Sequence, residues 1–227
     1  GEITLAAGAG LKDVLNELTY TFVRNNPAVK ITKNYAASGV LAKQLDGGAR
    51  MDVIFVANRK WMNYMQEKRL VEGGTVKPFA YNTLVFVGRG APWAGRIDAL
   101  PTLGRIAVGS PKSVPAGEYA LEALRNSGLE KQLEKKLVMA RDVRECLMYA
   151  ERGEVDGAFV YWTDALFSRT ATVWFTVPPQ LYSRVIYLSA LTGTGARDRD
   201  AVRYFSFLHS DAARVVLQKY GFEIPAT

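Results

Sequence analysis

Apolar positions along the chain follow two recurring patterns: short unbroken or alternating runs of strand type, and longer stretches with helical spacing. Ile3-Thr4-Leu5-Ala6 reads as a short buried strand and runs into the turn Ala7-Gly8-Ala9-Gly10. Leu11, Val14, Leu15, Leu18 and Phe22 then share one helical face, which ends near Asn25-Asn26-Pro27. The unit repeats. Val29 to Asn34 alternates as a second strand, and Ser38 stands ahead of Leu41, Ala42 and Leu45 in the pattern of an N-cap, with Gly47-Gly48 as the stop. Asp52 to Val56 is a third strand, of the continuous apolar kind found in parallel sheets. Asn58 is placed to cap a helix whose Trp61, Met62 and Met65 read as core.

From Tyr81 the chain forms the apolar strand Thr83 to Val87 and then a loop rich in Gly and Pro, Gly88 to Gly95. A second series follows: strand Arg105 to Val108, the turn Gly109-Ser110-Pro111, a helix from Pro115, and a short strand over Leu137 to Met139. Val143, Leu147 and Ala150 mark another helix, and the apolar strand Asp156 to Tyr161 leads into a short helix with Ala165 and Leu166. Strands Thr172 to Val177 and Val185 to Ala190 flank Pro178-Pro179 and precede two helices, Asp198 to Leu208 and Asp211 to Tyr220. The alternation predicts an α/β fold in two lobes, with residues 1–80 and 185–227 in the first and 81–184 in the second. Each lobe is expected to hold a mixed, mostly parallel sheet flanked by helices. A ligand cleft is expected between the lobes, lined by the strand-to-helix turns at which open α/β sheets bind.

Composition narrows the classes. With 227 residues, 48% of them apolar and 22% charged, the chain has the makeup of a globular protein with a sizeable core. Its longest apolar runs, such as Thr83 to Gly88 and Val185 to Leu191, are too short to span a bilayer, so no membrane insertion is expected. The 29 basic residues outnumber 22 acidic ones, and the net charge of +7 favours anionic partners. These basic residues are scattered, however. Arg141 with Arg144, and Arg197 with Arg199 and Arg203, read as solvated helix faces, so nucleic acid is not an expected partner. Cys146, the only cysteine, shares helical spacing with Val143, Leu147 and Ala150 and reads as a small buried hydrophobe. His209, the only histidine, reads as a helix end or a solvated position. One His and one Cys far apart in sequence support neither a zinc cluster nor a paired nucleophile and base. No enzyme activity, cofactor or directly bound metal is expected. A start directly at a strand fits a mature chain from which a signal peptide has been removed.

Candidate chemistry concentrates at helix starts. Lys112 to Tyr119 reads as a strand end turning into a helix with an open N-terminus, with Pro115 in the first turn, where its missing N–H costs nothing. Such a start attracts anions through its free amides and the helix dipole, although this stretch alone reads better as an ordinary capped helix. Similar turns stand at Ala9-Gly10, Ser38, Asp142-Val143 and Tyr161; each offers a backbone N–H, and Ser38 and Tyr161 add hydroxyls. None is a cation. Neutral donors suit a small, fully ionised anion, and they discriminate by size and by requiring an acceptor at every position.

In combination, several stretches resemble a known family over essentially the whole chain. They are Ala36 through Gln44, Asp52-Val53-Ile54 with Lys60-Trp61-Met62, Tyr81 through Val85, and Val108-Gly109 through Val114-Pro115-Ala116-Gly117. Asp142-Val143-Arg144, Val160-Tyr161 and Lys219 through Phe222 complete the set. They resemble the periplasmic molybdate-binding proteins of ABC importers, the ModA type. The resemblance implies a type II periplasmic-binding-protein fold whose two lobes close on a tetrahedral oxyanion, molybdate or its near-isostere tungstate. It also implies a monomer, periplasmic or otherwise extracytoplasmic, free or lipid-anchored, that delivers the anion to an importer permease. The family's oxyanion ligands fall on Ser38 (hydroxyl and amide), the Ala116 amide, the Val143 amide and the Tyr161 hydroxyl. Asp164 follows Tyr161 at the family's spacing and is expected to cap a helix or contact the other lobe, because a carboxylate touching a dianion would repel it. The first turn departs from the pattern: Gly10 stands where the family has a serine. The amides of Ala9 and Gly10 are expected to substitute, with Lys12 as the other candidate. Two alternatives stay open. One is a binder of a different oxyanion, such as sulfate, phosphate or a small carboxylate; the other is an anion-sensing effector domain of a regulator, for which this sequence shows no helix-turn-helix segment.

Overall fold

A computed structural model describes residues 1–226. The chain forms two compact units, Gly1–Tyr81 with Ile186–Thr227, and Asn82–Val185. In chain order the first segment carries β1 (Glu2–Gly8), a 3-10 turn (Ala9–Leu11), α1 (Lys12–Asn25), β2 (Lys30–Ala36), α2 (Ser38–Asp46), β3 (Val53–Val56), α3 (Arg59–Glu67) and β4 (Lys77–Asn82). Unit 2 carries β5 (Leu84–Arg89), β6 (Ile106–Gly109), α4 (Pro115–Asn126), α5 (Glu130–Leu133), β7 (Leu137–Ala140), α6 (Val143–Glu151), β8 (Gly157–Tyr161), α7 (Trp162–Leu166) and β9 (Ala171–Thr176). The chain returns to unit 1 through β10 (Val185–Leu191), followed by α8 (Gly193–Ala196), α9 (Arg199–Leu208) and α10 (Asp211–Lys219).

Unit 1 has the strand order β2-β1-β3-β10-β4 and unit 2 the order β7-β6-β8-β5-β9. In unit 1, β1 runs parallel to β2 and β3, and β10 runs antiparallel to β3. In unit 2, β6 runs parallel to β7 and β8, while β5 runs antiparallel to β8 and β9. Parallel neighbours need a crossover, here a helix, so each set of three parallel strands gathers its strand-to-helix turns at one edge of its sheet. These strand ends are level, with Gly8 opposite Ala36 in one sheet and Gly109 opposite Ala140 in the other.

The core of unit 1 packs Ile54, Val56, Ile186 and Leu188 of the sheet against Leu41 and Ala42 of α2 and Trp61, Met62 and Met65 of α3. In unit 2, Phe86 is the hub of an aromatic group, with ring centroids 5.0 Å from Phe159 and 5.2 Å from Phe175. Cys146 is fully buried, and burial pushes its thiol well above the ordinary cysteine range, which makes it a packing residue as expected. Two expectations change. Ser38 is the first residue of α2 and not its N-cap: Ala37 occupies that position, and the Ser38 hydroxyl instead accepts the backbone N–H of Ala57 at 3.0 Å. The second is an added strand: β4, absent from the sequence reading, carries Pro78 and lies at the sheet edge, where a missing N–H is tolerated.

One close approach fixes where α4 begins. The first turn of α4 sits directly on the end of β6, so a Cβ at Gly117 would collide with the Gly109 carbonyl and one at Gly109 with the Val114 side chain. Gly117→Ala is therefore expected to act as an overpacking change, costing about 1–3 kcal/mol of stability by chemical denaturation. Unchanged stability would contradict the close packing.

His209 ends α9, as expected, but is not solvated. It lies half-buried among Phe55, Phe79 and Phe205, with Nδ1 2.9 Å from the Phe205 carbonyl and Nε2 2.8 Å from Ser189 Oγ. Burial lowers its pKa from 6.5 to about 4, with the Phe205 carbonyl opposing and the Lys77 and Arg214 charges adding to the fall. The unfolded chain thus takes up this proton at higher pH than the folded one. Stability is full above about pH 6.5 and is lost as pH falls toward 4, at up to about 1.4 kcal/mol per pH unit. Urea unfolding across that window should show this slope in the wild type and a slope smaller by one proton in His209→Leu; equal slopes would contradict it.

Candidate functional site

In unit 2 the three parallel strands β7, β6 and β8 each release the chain into a helix at the same edge. After β6, a turn folds back so that the amides of Ser113 and Val114 both bond the Ser110 carbonyl, at 3.2 and 2.9 Å. Pro115 then opens α4 and brings no N–H. The amides of Gly117 and Glu118 are both taken by the Val114 carbonyl, at 3.0 and 3.1 Å. That leaves the Ala116 N–H, on a residue only 1% exposed, with no partner among the described residues and no capping side chain at Val114.

α6 follows β7 with a different cap and the same outcome. The Asp142 carboxylate accepts the Glu145 amide at 2.9 Å, and the Asp142 carbonyl accepts that of Cys146 at 3.3 Å. The Val143 N–H, on a buried residue, again has no partner among the described residues. Tyr161 ends β8 with a buried hydroxyl oxygen. Its backbone N–H donates to Asp164 Oδ2 at 3.0 Å, and Asp164 Oδ1 accepts from Arg144 Nε at 2.7 Å. Asp164 therefore takes the helix-capping role, with its charge answered inside unit 2.

Unit 1 repeats the arrangement with β2, β1 and β3. After β1 the chain makes the turn Ala9–Leu11, with Ala9 and Gly10 both buried and the Lys12 amide bonded to the Ala9 carbonyl. Lys12 is exposed, on the solvent side of the first turn of α1. After β2, α2 starts without a side-chain cap, and the amides of the buried residues Ser38 and Gly39 have no partner among the described residues. After β3, the Ala57 amide occupies a lone pair of Ser38 Oγ. The hydroxyl keeps its own proton to donate to a further partner. The first turn and Ser38 adjoin, since a Cβ on Gly8 would stand 3.5 Å from Ser38 Oγ.

The structure thus brings Ala9, Gly10 and Ser38 together in unit 1, and collects Ala116, Val143 and Tyr161 at one sheet edge in unit 2. Sequence reasoning missed the Gly39 amide, which the rule that a helix leaves its first amides open would have found. It also missed the orienting bond from Ala57, which links residues far apart in sequence and has no local signal. Arg144, read as part of a solvated face, is instead the partner of the buried Asp164. Among the described residues no cluster of His, Cys, Asp and Glu could hold a metal ion, and no helix is long and apolar enough to cross a membrane.

Residues 3–223 match the family model of the bacterial extracellular solute-binding proteins. The chain is 32% identical to the molybdate-binding protein ModA of Haemophilus influenzae, over 97% of this chain and 89% of that protein. It is 31% identical to ModA of Escherichia coli, over 99% and 90%. Its fold superposes on the periplasmic molybdate-binding protein of Azotobacter vinelandii with a TM-score of 0.86 at 18% identity, covering 99% of this chain and 100% of that one. It superposes on the sulfate-binding protein SubI of Mycobacterium tuberculosis with a TM-score of 0.84 at 17% identity, covering 98% and 86%. The fold is the two-sheet α/β architecture of the periplasmic binding proteins, and the chain belongs to the bacterial extracellular solute-binding protein family, in its ModA-like group, whose members bind solutes without transforming them.

Proposed function

We propose that this protein captures molybdate, and its near-isostere tungstate, as a tetrahedral dianion and delivers it to the permease of an ABC importer outside the cytoplasmic membrane. The observation that carries the reading is the pair of buried N–H groups at Ala116 and Val143, left without partners at the ends of neighbouring strands. A buried donor without an acceptor costs about 1–3 kcal/mol, so two such donors at one edge call for a ligand rich in acceptor oxygens. Two ModA relatives above 30% identity, both named as molybdate-binding proteins, support the choice of anion.

In this reading the anion takes donors from both units: the Ala9-Gly10 turn and Ser38 on one side, and Ala116, Val143 and Tyr161 on the other. All are neutral N–H or O–H groups. A protonated anion such as hydrogen phosphate would set its own proton against a donor, and is disfavoured. Sulfate has shorter bonds to oxygen, and a donor set fitted to molybdate leaves it with stretched hydrogen bonds. Gly10, which brings no side chain to the first turn, is the observation that favours a second reading, a different oxyanion such as sulfate.

Isothermal titration with molybdate, tungstate, sulfate and phosphate is expected to give saturable heat with the first two and far weaker binding of the others. Tighter binding of sulfate or phosphate would favour the second reading, and silence with all four would overturn both. Ser38→Ala removes a donor to a charged acceptor and is expected to cost about 1.5–3 kcal/mol of molybdate affinity, roughly ten- to a hundredfold. Unchanged affinity would take Ser38 out of the ligand set.

A further inference from the structure

Asp164 is a carboxylate whose side chain is 0% exposed, at the start of α7 behind the Tyr161 turn. Both of its oxygens are engaged, and they reach two different turns. Oδ2 accepts the backbone N–H of Tyr161 at 3.0 Å, and Oδ1 accepts Nε of Arg144 at 2.7 Å. Arg144 is the residue after Val143, in the first turn of α6. The strands that precede these two turns are not neighbours: β6 lies between β7 and β8, so no backbone ladder joins the end of β7 to the end of β8. The Arg144–Asp164 bridge is a side-chain link between them.

Resting on the oxyanion reading above, we propose that Arg144 and Asp164 are positioning residues that fix the separation between the Val143 amide and the Tyr161 hydroxyl, and so the size of anion that unit 2 accepts. A buried ion pair is a poor source of net stability, because the cost of desolvating both charges offsets their attraction. What it does supply is direction. A guanidinium N–H bonded at 2.7 Å to a fully buried carboxylate holds one geometry, where an ammonium on a flexible stem would not. Charge alone predicts the opposite behaviour: a carboxylate close to a bound dianion repels it, so neutralising Asp164 would tighten binding.

The sign of the effect separates the two roles. In Asp164→Asn the molybdate affinity is expected to fall at least tenfold, and the preference for molybdate over sulfate to narrow, with the melting temperature below that of the wild type because Arg144 loses its anionic partner. Arg144→Lys keeps the charge and loses the planar guanidinium N–H, and is expected to shift affinity and selectivity in the same direction by less. Unchanged or tighter molybdate binding in both variants would overturn the inference. Amide hydrogen exchange on the anion-free protein reads the bridge whatever the ligand is: the Tyr161 amide should exchange at least tenfold faster in both variants, and unchanged exchange there would also overturn it. If the wild type binds none of the four anions, the functional reading fails while the exchange result still decides the bridge.

Discussion

Parallel pairing of three neighbouring strands is the constraint on which each unit depends. Because β1 runs parallel to β2 and β3, and β6 to β7 and β8, the chain leaves every one of these strands at the same sheet edge and enters a helix or helical turn there. A helix cannot satisfy its own first amides. Three helix starts at one edge therefore place a concentration of backbone donors there before any side chain is considered, and the helix dipoles add partial positive charge. An anion site built this way needs no lysine or arginine, and it stays selective because each donor is held by backbone packing.

How the molecule treats its helix starts supports this. α3, α8, α9 and α10 each begin with a side chain that accepts a first-turn amide: Asn58, Thr192, Asp198 and Ser210. α2 and α4 have no such cap. α6 has one, but the Asp142 carboxylate reaches the Glu145 amide and leaves that of Val143. Buried amides stay open at three turns of the candidate half-sites. Gly109 and Gly117 serve the same end, since only the absence of both side chains lets α4 begin directly on the end of β6.

Much of this was legible in the sequence, and the exceptions have physical causes. The periodicity of Leu11 to Phe22, the continuous run Val53 to Val56 and the Pro115 helix start were enough for the α/β alternation, because those signals are local. β4 was missed, and its Pro78 is tolerated because the strand lies at a sheet edge. The spacing of Ser38 suggested a cap, but tertiary packing sets its hydroxyl against the amide of Ala57. His209 does end a helix, as its position suggests, but nothing local announces the three phenylalanines around it or the buried Asp164 beside Arg144. Long-range partners of single polar residues are what a sequence pattern carries least.

The central claim is that open backbone amides at helix starts are the anion's ligands, and the amides themselves report it most directly. Proton–nitrogen correlation spectra of the protein titrated with molybdate should show the resonances of Ala116, Val143, Ser38 and Gly39 moving downfield to saturation. The capped starts of α9 and α10 should stay in place. Saturable binding that leaves the Ala116 and Val143 amides unmoved would contradict the account.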